Sequence, residues 1–182
     1  MVLTSPGVAA EDELRTDLWV WPTMARLAEC LCNEIVAAGL PPTCLCGILP
    51  GEQVDASYVN SKEGMAWVRL AGGYPYNVFP NASLNGTTCA MPLAFELEVG
   101  ALWCAPVGDS RGNPPTMEAQ FATTEIQVAA MAAMHRAIIC CMPTERATAA
   151  LGLYTPAGPE GGVVGGTWSV VVAGGQNRLG GV

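Results

Sequence analysis

From Leu93 to Trp103 the apolar side chains fall on every second residue: Leu93, Phe95, Leu97, Val99, Ala101 and Trp103, with Glu96 and Glu98 between them. In an extended chain successive side chains leave opposite faces, so this spacing gathers the apolar groups on one side and the carboxylates on the other. The stretch is a long, one-sided strand. At about 3.3 Å per residue it spans roughly 36 Å, more than an ordinary strand, so one end is expected to project beyond the core. Gly100 marks the cheapest place for a bulge or bend.

Around this strand the pattern alternates between helix and strand. Glu11 to Val20 reads as a short helix. Pro22 suits the first turn of another, in which Met24, Leu27, Ala28, Leu31, Ile35 and Val36 follow at helical spacing until Gly39 and Pro41-Pro42 stop it. Thr43 to Leu49 and Met65 to Leu70 read as strands, the second with Met65, Trp67 and Arg69 on one face and Ala66, Val68 and Leu70 on the other. Ala71 to Ala90 is rich in Gly, Pro and Asn and reads as a functional connection; Tyr74, Tyr76 and Phe79 argue against disorder. After a turn at Gly108 to Pro115, Thr116 is placed to cap a helix from Met117 to about Met142, apolar around most of its circumference and therefore expected to be sandwiched. Val163 to Ala173 is the last strand, approached by glycines that suggest flexibility. The fold class is α+β: a mainly antiparallel sheet of about four strands, with an N-terminal helix and a long second helix on one face. Residues 1–182 are expected to form a single domain, with a loose arm at 1–10 and a frayed tail at 176–182.

Composition narrows what such a domain does. Charged residues make up 13% of the 182, about half the usual share, and hydrophobic residues 51%. That is too little charge to coat an ordinary monomer, so part of the surface is expected to be covered by a partner. A membrane span is not the explanation, because Thr123, Thr124, Glu125, Gln127, His135 and Arg136 interrupt the most apolar helix. The acidic start, Glu11 to Glu13, does not resemble a signal peptide, which points to the cytoplasm. The net charge is −8 and the eight basic residues are scattered, so no basic stripe exists to track phosphates.

The chemically suggestive groups each have a plainer reading. Cys30 and Cys32 pair by spacing with Cys44 and Cys46, but residues two apart on a helix point about 200° apart and cannot share one ion. The cysteines are read as structural thiols in a reducing compartment, with Cys89, Cys104, Cys140 and Cys141 as small core fillers. His135 is the only histidine, and a Cys104–His135 nucleophile pair lacks any supporting motif. Glu96 and Glu98 are read as the solvated or pore-facing side of a half-buried strand. No catalytic residue, cofactor or metal is assigned.

Two stretches carry a resemblance: Phe95-Glu-Leu-Glu-Val-Gly with Cys104-Ala-Pro and Gly112-Asn-Pro-Pro-Thr, and Gly158-Pro-Glu-Gly-Gly-Val-Val-Gly-Gly-Thr-Trp-Ser-Val. They resemble proteins of the head-to-tail region of actinobacteriophage siphoviruses, and within that group the tail terminators, over about Pro22 to Ala173. The resemblance implies a homo-oligomeric ring, usually a hexamer, assembled in the host cytoplasm and carried in the virion. Such a ring sits on the last ring of tail-tube protein, halts tube growth, offers a surface to neck and connector proteins, and lets DNA pass through its lumen without sequence-specific binding. Tyr74, Tyr76 and Phe79 are the candidate interface residues. The other readings are a stopper or connector of the same neck, a small cytoplasmic enzyme using Cys104 or His135, and a monomeric ligand-binding module.

Overall fold

The computed structural model describes residues 20–83, 91–142, 149–159 and 162–174. The expected arm, tail and first helix up to Trp19, and Cys89, lie outside the described residues. Within them, helix α1 (Val20–Ala37) and helix α2 (Met117–Cys141) accompany strands β1 (Thr43–Ile48), β2 (Gly64–Val78), β3 (Asn81–Ala82), β4 (Leu93–Cys104), β5 (Ala149–Ala157) and β6 (Val163–Ala173).

The strand predicted from alternation is the centre of the sheet, whose order is β1-β2-β4-β6-β5 with β3 folded back on β2. β4 pairs antiparallel with β2 on one side and along its whole length with β6 on the other. Its alternate residues Leu97, Val99, Ala101 and Trp103 are buried beneath the helices, together with Ala66, Val68, Val170 and Val172. Both helices lie on this face: α1 buries Met24, Leu27, Leu31 and Ile35, and α2 buries Ala130, Met134, Ala137 and Ile138. On the other face Met65, Trp67 and Leu102 form a smaller cluster, covered by Leu45, Leu49, Val54 and Val59.

Several expectations need correction. The α+β class holds, but the sheet has six strands rather than about four. It is mixed, because β1 and β2 are parallel. β5 is a strand the sequence concealed: most of its residues are exposed at the sheet edge, so no buried alternation marks it. The connection read from Ala71 onward is strand as far as Val78, since the backbone of Gly72 to Pro75 pairs with β4 in spite of its glycines and proline. The overlong strand is thus β2, which runs three residues past its last β4 partner, Pro75; β4 itself does not project.

The irregularity in the β2–β4 ladder falls between Leu70 and Gly72, not at Gly100. Gly100 has a different reason to be glycine: a Cβ there would overlap the Trp67 indole, which lies across it. The glycines before Trp168 are likewise no loose approach. Gly165 and Gly166 are buried within β6, and Gly165 has φ 146° with its Cα against the Ala101 carbonyl, where a side chain would not fit.

Four cysteines thought to be free thiols are paired. Cys30 bonds to Cys141 at the end of α2, and Cys32 bonds to Cys46 in β1. The divergence of positions two apart on a helix, which argued against a shared ion, sends the two side chains to different neighbours. Cys104 and Cys140 are exposed rather than core fillers.

Candidate functional site

Tyr74, Tyr76 and Phe79 come together in one arm, the overhanging end of β2 and its hairpin return through β3. Tyr76 N donates to Pro92 O (3.1 Å) and Ser83 N to Pro75 O (2.8 Å), which extends the hairpin past the sheet. The Tyr74 hydroxyl donates to Pro80 O (2.6 Å), Asn77 Nδ2 donates to Ser83 Oγ (2.7 Å), and the Tyr76 and Phe79 rings meet edge to face at 5.7 Å. Desolvation, and then the charge of Glu96, raise the Tyr74 phenol above its usual value. The predicted aromatics therefore brace the arm, and the group presented outward is Val78, 70% exposed at the tip.

The middle of the β2–β4 ladder, not the arm, is held by charge. Arg69 grips Glu98 with two nitrogens, Nε to Oε1 at 2.7 Å and Nη2 to Oε2 at 2.8 Å, and Trp67 Nε1 donates to Oε1 at 2.9 Å. Desolvation alone would raise the Glu98 carboxyl; the hydrogen bonds from Arg69 and Trp67, with the Arg69 charge, outweigh it and hold it below the usual carboxylate range. Arg69 Nη1 also donates to the carbonyls of Gly51 and Glu52, tying the covering loop to the sheet. Glu98 is thus a structural acceptor, while Glu96 stays exposed beside a groove of about 230 Å³ lined by Thr155, Thr167 and Ser169.

At the opposite end of the sheet lies a larger cleft of about 500 Å³, walled by Val107, Pro115, Pro159 and Val164, with Gln120, Thr123, Thr124 and Gln127 of α2 along one side. Gln127 Nε2 donates to Gly165 O (2.9 Å) and Ala157 O (3.3 Å), fastening α2 to β5 and β6. The loop forming one wall is ordered by Asp109, which accepts from Asn113 Nδ2 (2.8 Å) and from the backbone N–H groups of Arg111 and Asn113 (both 2.9 Å). These bonds, the Asn113 side chain first, keep its carboxyl below the ordinary value.

The third feature is the outer face of α2. Thr116 caps it as predicted, its Oγ1 accepting from Ala119 N at 3.2 Å. The helix is apolar on two sides, as its composition suggested, but only one of them is covered. Met117, Phe121, Val128 and Ile139 are 62%, 64%, 55% and 58% exposed. At 100° per residue they fall within one narrow stripe, opposite Ala130, Ala133 and Ala137. Phe121 and Val128 were visible in the sequence as apolar helix positions; what periodicity did not reveal was which of the two apolar stripes meets the sheet.

His135 and Cys104 are not brought together. The His135 ring packs on Trp168 at 5.4 Å, and Tyr154 lies against the same indole at 5.5 Å. Trp168 pairs with Val99, five residues or roughly 17 Å along β4 from Cys104. Among the described residues no group of three or more His, Cys, Asp or Glu is arranged to hold a metal ion, and no helix is long and apolar enough to cross a membrane. Compared with known proteins, the chain matches no family, and no curated protein matches its sequence.

Proposed function

We propose that the chain is a structural virion protein without catalytic activity: a siphovirus tail terminator whose copies close into a ring on the tail tube, stop its growth and offer a joining surface to the neck. The observation that carries the self-association is the uncovered stripe of α2. A 25-residue helix with one apolar side on the sheet and another in solvent is built to be packed from both sides. The resemblance in β4 and β6 supplies the kind of assembly. The low charged fraction suits subunits that bury large faces on one another, and the net charge of −8 suits a lumen through which DNA slides without sticking.

Native mass spectrometry of the purified chain tests the association. A closed oligomer, six copies on the terminator reading, is expected for the wild type, and Phe121→Glu, which sets a carboxylate in the stripe, is expected to return monomers with an unchanged melting temperature. Oligomers that survive Phe121→Glu would remove α2 from the interface. A wild-type monomer at every concentration would remove self-association as the reason for the exposed stripe.

A further inference from the structure

We infer that the arm of one copy inserts its tip, Val78 and Phe79, into the 500 Å³ cleft at the far end of the sheet of the next copy. This rests on the ring reading and specifies its junction, which adjoins the exposed α2 stripe because the cleft residue Thr124 lies one helical turn from both Phe121 and Val128. The placement of the two features comes first. The arm leaves the sheet where β4 begins, beside Leu93, and the cleft opens where β4 ends, at Ala105 and Pro106, so they are separated by the 12 residues of β4, about 40 Å. A ring closes through a head-to-tail contact between two different patches of the same subunit, and a projection at one end with a recess at the other is the form such a contact takes.

Charge selects the same pair. Copies carrying −8 repel one another, and a junction that brought carboxylates face to face would cost affinity. Residues 70–83 of the arm contain no charged side chain, and neither does the lining of the cleft. The surfaces also match in kind. Val78 and the partly buried Phe79 offer an apolar tip, while the cleft offers Val107, Pro115 and Pro159, its Gln120, Gln127 and Thr124 donors being already turned onto carbonyls of the same chain. Finally, both partners are ordered in advance. The arm is braced by the Tyr74–Pro80 and Asn77–Ser83 hydrogen bonds and the cleft wall by Asp109, so little conformational entropy remains to be lost on docking.

The test uses two full-length variants with exposed substitutions: Val78→Asp at the tip and Thr124→Arg in the cleft, each first checked for a wild-type melting curve. Each alone is expected to associate at least about 100-fold more weakly than wild type in sedimentation and native mass spectrometry, the scale of one buried unpaired charge. An equimolar mixture is expected to give oligomers containing both variants, dimers at least, because the intact arm of Thr124→Arg still fits the intact cleft of Val78→Asp and the introduced carboxylate and guanidinium attract where the two altered patches meet. Wild-type rings from either variant alone would overturn the arm–cleft junction and leave the ring standing. Monomers only in the mixture, with a wild type that forms rings, would also overturn it. A wild type that stays monomeric, alongside a mixture without dimers, would overturn both.

Discussion

Removing the Cys30–Cys141 bond separates the contribution of packing from that of covalent stapling. This bond closes a loop with a sequence separation of 111, and Cys32–Cys46 closes one of 14 nested inside it. In the chain-entropy model the longer closure restricts the unfolded chain by about 4.7 kcal/mol and the shorter by about 3 kcal/mol, with native disulfides usually delivering about 2 to 4 kcal/mol. The double variant Cys30→Ser with Cys141→Ser retains the Leu27, Leu31 and Ile35 contacts of α1 and the Glu34–Arg136 ion pair at 2.7 Å, so it is expected to fold. That ion pair is half exposed on the arginine side and adds at most about 1 kcal/mol. Urea unfolding followed by circular dichroism, with a slope of about 2 kcal/mol/M, is expected to show the midpoint fall by about 2 M, and by less for Cys32→Ser with Cys46→Ser. Reduction of the wild type opens both bonds and is expected to lower the midpoint further than either double variant does. A midpoint unmoved by either treatment would refute the reasoning, as would alkylation of Cys30 and Cys141 in the folded protein without reductant. In a reducing cytoplasm, the proposed site of assembly, the disulfides would be open and α1 would be held by its packing and the Glu34–Arg136 pair.

Other perturbations have equally definite outcomes. Glu98→Ala leaves Arg69 with only the Gly51 and Glu52 carbonyls and is expected to cost about 2 to 3 kcal/mol in urea unfolding. Because folding lowers the Glu98 pKa, its ionised form contributes stability above the unfolded value near 4.3, and that contribution is lost as pH falls through the folded value. Glu98→Gln is therefore expected to flatten the stability–pH curve below about pH 4.3, and an unchanged curve would contradict the pairing. Gly100→Ala forces the Trp67 indole from its place and is expected to cost about 1 to 3 kcal/mol, measured as a lowered melting temperature with a perturbed tryptophan emission. Leu97→Ala, in the fully buried centre of β4, is expected to cost about 2 to 5 kcal/mol.

The parts of the fold legible in the sequence were those in which one residue pattern meets one environment. β4 and β6 each bury one face in the helix-covered core, and α1 buries a single stripe, so alternation and helical spacing identified them. β5 was hidden because an edge strand with mostly exposed side chains has no burial pattern to display. The end of β2 was hidden because backbone pairing, not side-chain burial, makes Gly72 to Pro75 a strand. The cystines were missed for another reason: pairing depends on which elements become neighbours, and Cys30 meets Cys141 only once α1 and α2 lie side by side. At the candidate site, Tyr74, Tyr76 and Phe79 stood out as aromatics in a glycine-rich stretch. That the Tyr76 and Phe79 rings meet and Tyr74 reaches Pro80 O, leaving Val78 as the exposed tip, depends on the hairpin turn and is not written in composition.

The most direct test of the tail-terminator reading is electron microscopy of lysates from a phage carrying this gene, with the gene disrupted and then restored in trans. The account predicts tails that grow past their normal length beside DNA-filled heads without tails, and normal virions on restoration. Tails of normal length lying unattached would contradict the terminator and point to a stopper or connector, and intact infectious virions from the disrupted gene would contradict any structural role in the particle.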